Sequence, residues 1–518
     1  MKKLVVLLTL IYSVAGVAQN KRVLFVVTNH TQLGNTGETT GYFLSEVTHP
    51  LEVLTKELQK SPLRFDATKY TTQQITQGDQ TLTVRAYEGI VYVANPVEEQ
   101  YQQLNLYIPE AYFNGGTING FNAQTAPIFL PNGIGGYMPA KPLSLTGGKF
   151  QEMNNSLIMA LSKGFVVASP GARGRTSATG KAPAVIADLK AAVRYLKYND
   201  KEIPGDANKI ISNGTSAGGA SSALLGASGD RAAYEPYLKE LGAAPATDAI
   251  FAVSAYCPIT NLENADKAYE WQFGNLSQFK TMVSMLDYNV QRTYKTGTFT
   301  SEQSKVSADL KKDFPAYLNS LQLKDSKGNR LTLNAKGEGS FKELLKQTII
   351  AAAEKAQKEG TDLSKYSFLT LKNGKVTAID WEGYITYMER HKTPPAFDAL
   401  DLSTGENQLF GDSNTDKKHF TSYALKNSTV ESQMADANTV KLMNPMSFIG
   451  KKNAHLPKYW RIRHGAKDSD TSAAISLILA MALQNHHYAV DYALPWDKPH
   501  SGDYDLEELF DWAEKISK

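Results

Sequence analysis

The stretch "NKIISNGTSAGGASSALLG", residues 208–226, decides the fold. Its first residues are an apolar, β-branched run that reads as a buried strand, and its last are a small-residue run that reads as a helix. Between them stands Gly214-Thr215-Ser216-Ala217-Gly218, the pattern G-x-S-x-G. Glycine and serine are common, so the pattern alone is weak. Set between a strand and a helix it acquires a mechanism: the glycines permit a sharp turn that lifts Ser216 out of the sheet edge, and the following helix points its N-terminus at charge developing nearby. Ser216 is the candidate nucleophile.

Working outward, short apolar runs recur on both sides of that turn: "APIFLPN", "GFVVASPG", "IFAVSAYCP", "YWRIRHG" and "YAVDYALPW". Helical patterns lie between them. In "AVIADLKAAVRYLKYN", Val185, Leu189, Ala192, Val193 and Leu196 recur at helical spacing. Strand and helix in alternation predict an α/β fold with a mostly parallel sheet and crossover helices. Upstream, "TLTVRAYEGIVYV" and "YQQLNLYIPEAYF" read as an antiparallel pair extending it. From about Pro258 to Asn444 charged helices and loops dominate, "KGEGSFKELLKQTIIAAAEKAQKEG" being the clearest helix, before sheet strands resume. That is an inserted segment, placed where it can cover the C-terminal strand edge at which such sheets bind ligands.

Composition narrows the function. The chain has 518 residues, 42% of them apolar, with a formal charge of +3 from 55 basic and 52 acidic side chains and no long block of one sign. Nothing electrostatic favours a nucleic-acid partner, and a small-molecule substrate is the expectation. The start, "MKKLVVLLTLIYSVAGVAQN", carries two lysines, a short apolar run and small residues up to Ala18, the form of a cleavable export signal. It predicts an exported, periplasmic or secreted protein with no membrane anchor after cleavage. The single cysteine, Cys257, excludes an intrachain disulfide and reads as a core residue. With no CxxC, HExxH or comparable cluster, no metal and no cofactor are expected.

A serine nucleophile needs an orienting acid and a base, in the order Ser, Asp/Glu, His for a strand–turn–helix serine. After "YWRIRHG" the pattern His464-Gly465-x-x-Asp468 puts an acid on the loop that follows a strand, which favours Asp468 over Asp470. After the last strand, "LPWDKPHSGDYD" offers His500 on a loop, whereas His486 and His487 end a helical pattern. His500 is the candidate base, and His464 reads as a structural histidine. His391 has no comparable context. An oxyanion hole needs two backbone N–H groups. One follows the nucleophile, at Ala217, and the other comes from "IFLPNGIGGYMP", where Gly133, Gly135 and Gly136 allow close backbone approach.

The segments "LPNGIGGY", "GARGRT", "KYNDKEIPGDANKIISNGTSAGGASSALLGASG", "AYEWQF", "PAFDALDLSTGENQLFGD", "RIRHGAKDSDTS" and "ALPWDKPHSGDYDL" together resemble the bacterial tannases, tannin acyl hydrolases. The resemblance runs from about Leu63 to about Trp512. It implies an α/β-hydrolase fold with a large, mainly helical lid domain inserted between late strands: a core over 63–257 and 445–518, and a lid over 258–444. It implies Ser216, His500 and Asp468 as the triad, and the N–H groups of Gly136 and Ala217 as the oxyanion hole. It implies Lys392, Glu406 and Asp470 as the residues that hold a galloyl ring, and a galloyl ester as the substrate. Carboxylates can accept from adjacent phenol hydroxyls and a lysine can donate to one. An esterase for other aromatic acids, such as feruloyl esters, is the neighbouring expectation. Residues 19–62 form an N-terminal extension outside this match. Within it, "KRVLFVVTNHTQLGNTGETTGYFLSEVTHPLEVL" resembles a fragment of the DJ-1/PfpI-like proteins, too short for a core of its own.

Overall fold

The computed structural model describes residues 62–146, 151–284, 292–452 and 455–518. The export signal and the DJ-1-like stretch lie outside the described residues. The strands are β1 (Thr71–Gln77), β2 (Gln80–Val91), β3 (Gln103–Pro109), β4 (Pro127–Pro131), β5 (Val166–Pro170), β6 (Asp206–Thr215), β7 (Ala252–Tyr256), β8 (Gln278–Ser284), β9 (Arg292–Thr298), β10 (Leu369–Lys372), β11 (Lys375–Ile379), β12 (Tyr459–Arg463) and β13 (Ala489–Ala493). Nine of them make one sheet in the order β1-β2-β3-β5-β4-β6-β7-β12-β13. From β5 to β13 neighbours run parallel, and β1, β2, β3 and β5 are joined antiparallel. This is the α/β-hydrolase architecture the sequence implied.

The parallel strands form because β4 and β7 are buried along their whole length, as strands covered on both faces must be. The covering helices are Ala184–Tyr198 and Ala217–Ala227 on the early half and Ala473–Asn485 on the late half. Every residue of Ala217–Ala227 is buried, so only its Ala/Gly/Ser-rich sequence lets it approach the sheet so closely. The C-terminal helix, Leu506–Ser517, is the most clearly amphipathic, and its Phe510 meets Phe129 and Phe165 edge to face.

Two features place the site. Strands β4 and β6 are neighbours, and the chain leaves β4 toward β5 on one side and β6 toward β7 on the other, so the connections diverge and open a crevice at the C-terminal ends of β4 and β6. The ends of β6, β7, β12 and β13 are also in register, with Thr215 beside Tyr256, Tyr256 beside Arg463 and Arg463 beside Ala493. Ser216, Cys257 and His464, each one residue further on, therefore emerge in one row.

Every sheet strand read from the sequence is present. Strand β1 was not legible: in "TTQQITQ" only Ile75 is buried, because an edge strand has little core to face. Between β7 and β12 the main sheet gains no strand among the described residues. That stretch carries the helices Leu262–Phe273, Ser301–Ser320 and Ser340–Lys358, and also two hairpins, β8–β9 and β10–β11, that the reading of helices and loops had not anticipated. No helix among the described residues is long and apolar enough to cross a membrane.

Candidate active site

Ser216 stands at the turn between β6 and its helix with φ 61° and ψ −122°, a left-handed conformation that costs a non-glycine residue about 1–3 kcal/mol. Its neighbours enforce it. The Ser216 N–H donates to the Tyr256 carbonyl at 3.0 Å. A Cβ on Gly218 would lie 2.5 Å from Asn132 Oδ1, and one on Gly214 would lie 2.6 Å from Asn132 Nδ2. Asn132 is the stitch between this turn and the loop after β4. Its buried amide donates to the carbonyls of Asn213 at 3.0 Å and Gly218 at 3.2 Å and to the Ser222 hydroxyl at 3.0 Å, and its Oδ1 accepts from the Ile134 N–H. Sequence reading passed over Asn132, because its partners are mostly main-chain atoms that no pattern marks.

That loop continues into a tight turn. The Met138 N–H donates to the Gly135 carbonyl at 2.9 Å, and Gly136 and Tyr137 have φ of 53° and 56°. Two successive positive φ values make a type I′ turn, for which Gly136 is suited. Neither the Gly136 nor the Ala217 N–H meets an acceptor among the described residues, so both remain available to an incoming oxyanion.

Asp468 and His500 meet: His500 Nδ1 lies 2.7 Å from Asp468 Oδ2. Asp468 is fully buried and His500 about one-fifth exposed. The other Asp468 oxygen accepts the Asp470 N–H at 2.9 Å, which locks the turn carrying both aspartates. Burial works against charge on the imidazole, yet the Asp468 carboxylate beside it outweighs burial and raises the His500 pKa well above the ordinary 6.5. Burial likewise pushes the Asp468 carboxyl up, and the two histidines, His500 and His464, bring it down further than burial raises it. His464 is wholly buried, with Nε2 3.8 Å from Asp468 Oδ2 and neither ring nitrogen hydrogen-bonded among the described residues. Burial holds it toward the neutral form.

The loop bearing His500 packs on the serine turn so closely that a Cβ on Gly502 would overlap the Thr215 hydroxyl. Ser216 itself forms no hydrogen bond with His500 among the described residues. The imidazole instead borders the Cys257 thiol, which donates to the Ser501 carbonyl at 3.0 Å. Cys257 is buried as expected, but in the row between Ser216 and His464, with φ 35°. One ligand atom each from Cys257, Asp468 and His500 lies within 4.8 Å of the others, a cluster invisible in the sequence spacing. Its Asp468 oxygen and His500 Nδ1 already bond each other, and the thiol already has the Ser501 carbonyl.

Of the residues implied to hold a ring, Asp470 and Lys392 come together. Burial raises the Asp470 carboxyl, but His391, His500 and Lys392 outweigh it and hold it far below the usual carboxylate range. His391 Nδ1 lies 3.8 Å from Asp470 Oδ2, so this histidine, without context in the sequence, belongs to the site. Lys392 Nζ stands 4.0 Å above the Phe397 ring. The joint is Tyr269: its hydroxyl donates to the Ser469 carbonyl at 2.8 Å and accepts the N–H groups of His391 at 3.2 Å and Lys392 at 3.1 Å. Glu406 lies on the helix Gly405–Leu409, on the side of the glycine turn, where its charge acts on buried Tyr137 and Arg175.

The site therefore offers a half-buried, strained serine, a histidine polarised by a buried aspartate, two unoccupied N–H groups, and a charged group of Asp470, His391 and Lys392. Such a set can form and hydrolyse an acyl-enzyme. A family model described as BD-FAE matches residues 145–306. No curated protein matches. Among solved structures, the chain is 46% identical to the tannase of Lactobacillus plantarum, with a TM-score of 0.86 over 88% of this chain and 100% of that one. It is 50% identical to the Fusobacterium nucleatum tannase, with a TM-score of 0.83 over 88% of this chain and 99% of that one. It is 45% identical to a tannin acyl hydrolase solved in complex with ethyl gallate, with a TM-score of 0.84 over 89% of this chain and 100% of that one.

Proposed function

The chain belongs to the bacterial tannases, carboxylic ester hydrolases of the α/β-hydrolase fold, and from that premise we propose that it is an exported serine esterase releasing gallic acid from galloyl esters. Ser216 attacks the ester carbonyl while His500 takes its proton. The N–H groups of Gly136 and Ala217 receive the oxyanion, and His500 then protonates the departing alcohol. Water, activated by the same imidazole, releases the acid. Asp468 keeps His500 in the tautomer that accepts at Nε2 and stabilises the imidazolium. Lys392, Glu406 and Asp470 take the ring hydroxyls, and the inserted segment that supplies the first two serves as a lid.

The observation that carries this reading is the 2.7 Å bond between Asp468 and His500 on the loops following β12 and β13, beside the row where Ser216 emerges. A relative holding ethyl gallate supports the choice of acyl group. The test is a comparison of methyl gallate with methyl ferulate, together with fluorophosphonate labelling of Ser216. The expected result is preference for gallate and a label lost in Ser216→Ala. Equal or better turnover of ferulate overturns the galloyl specificity. For export, N-terminal sequencing of the protein from its source cells is expected to start just after Ala18.

A further inference from the structure

The motif "GARGRT" has no part in the chemistry above, yet its second arginine stands behind the glycine turn. Arg175 is 7% exposed. Its Nε donates to the Gly136 carbonyl at 2.7 Å, and its own N–H donates to the Tyr137 carbonyl at 2.8 Å. A Cβ built on Gly135 or Gly136 meets nothing within 4 Å. No side chain presses on these two glycines. Three hydrogen bonds hold their turn, and Arg175 makes two of them. Gly174, just before it, touches the Met138–Pro139 peptide so closely that no side chain fits there.

The other end of the guanidinium reaches the inserted segment. Nη1 donates to Gln408 Oε1, and a Cβ on Gly405 would lie 2.9 Å from Cζ and 3.1 Å from Nη2. Glu406 sits between those two residues. Lys181 closes the frame, donating to the Arg175 carbonyl at 2.7 Å and to the Asp416 carboxylate at 2.6 Å, while Gln408 also donates to Asp416. Among the described residues no carboxylate comes within 4.0 Å of the Arg175 guanidinium, so this buried cation is not half of a structural ion pair.

We propose that Arg175 is a positioning residue that couples the two ends of the substrate, fixing the Gly136 oxyanion donor and holding the Glu406 helix in register with it. This rests on the proposed roles of Gly136 and Glu406. A planar guanidinium can bridge two acceptors at a fixed separation, which an ammonium on a flexible stem cannot. Loss of that bridge misaligns the oxyanion donor for every ester and the ring contact only for hydroxylated ones.

The experiment measures kcat and KM for methyl gallate and 4-nitrophenyl benzoate, per fluorophosphonate-labelled site, in Arg175→Met, Arg175→Lys and Gly405→Ala. Arg175→Met is expected to lower kcat on both esters by roughly 10- to 100-fold, the scale of a misplaced oxyanion donor, and to raise KM for methyl gallate alone. Arg175→Lys keeps the charge without the bridge and is expected to give the same pattern, a lower kcat on both esters and a raised KM for methyl gallate alone. Gly405→Ala displaces the guanidinium from the helix side and gives the Met pattern in milder form, which covers the case of Arg175→Met failing to fold. Unchanged kcat per site on both esters in these variants, or a loss confined to methyl gallate, overturns the coupling. Labelling of the unsubstituted protein separates the two levels: no label sinks the serine-esterase reading and this proposal with it, whereas normal label with unchanged kcat sinks Arg175 alone.

Discussion

Asp468 and Asp470 occupy one turn, joined by a single N–H to carboxylate bond, and face different neighbours. Asp468 touches the imidazole; Asp470 faces His391 and Lys392. Asp468→Asn is therefore expected to lower kcat on all esters, on the order of 10³–10⁴-fold, because the imidazole loses its orientation and its counter-charge. Asp470→Ala is expected to hurt galloyl esters far more than an unsubstituted benzoate. Steady-state kinetics on both esters decides it, and equal losses in the two variants would refute the division. The pH profile gives a second check. His500 must be neutral to accept a proton, and Asp468 raises its pKa, so the acid limb of kcat/KM should inflect above 6.5. Removing the carboxylate in Asp468→Asn should move that inflection to lower pH. An unmoved inflection would show that some other group titrates. At this scale the meeting of Asp468 with His500 was legible in the sequence, because each follows a recognisable strand, as was the strand–turn–helix setting of Ser216. His391, Asn132 and Tyr269 were not, because what marks them is a partner distant in the sequence or a main-chain atom.

Elements set these residues by contact so close that glycine is the only tolerated choice. A methyl group on Gly218 would press on Asn132 Oδ1 at 2.5 Å and the Ile134 carbonyl at 2.8 Å. Gly218→Ala is thus expected to push the loop after β4 away from the serine turn and to lower kcat at least about tenfold, with KM moving less. On the opposite wall, Tyr269 joins the helix Leu262–Phe273 to the segment carrying Lys392 and to the aspartate turn. Tyr269→Phe leaves two N–H groups and a carbonyl without their partner, which should cost roughly 2–3 kcal/mol of stability and raise KM for galloyl esters. Calorimetry with kinetics tests it; unchanged KM would mean the wall holds without the hydroxyl. The sheet was readable from sequence because buried parallel strands are apolar runs. The hairpins β8–β9 and β10–β11 were not, being short, largely polar segments of which only Leu369, Val376 and Ile379 are buried in the core among the described residues. Lys392 and Glu406 lie in the same kind of segment, and only the family resemblance singled them out.

Across the whole molecule, the inserted segment is held together by a buried carboxyl on its helix Leu262–Phe273. Asp266 accepts the N–H groups of Phe397 and Asp398, the segment leading from Lys392 to Glu406. Burial first, then the Asp398 carboxylate, pushes its pKa up to about 7 from 3.8. The folded state holds this proton where the unfolded chain releases it, so stability from this group is full at low pH and falls as pH rises toward 7. Melting temperatures across about pH 5–8 should show Asp266→Asn gaining on the parent as pH rises. A constant offset would refute that. The order of the strands has a further consequence. Strand β12 joins the sheet beside β7 only after the entire inserted segment, and His500 follows later still. A nascent chain thus carries its serine long before it carries the base. Synthesis stopped anywhere before Tyr459 should yield fragments blind to fluorophosphonate, so chemistry waits until β12, β13 and the loop with His500 have been made.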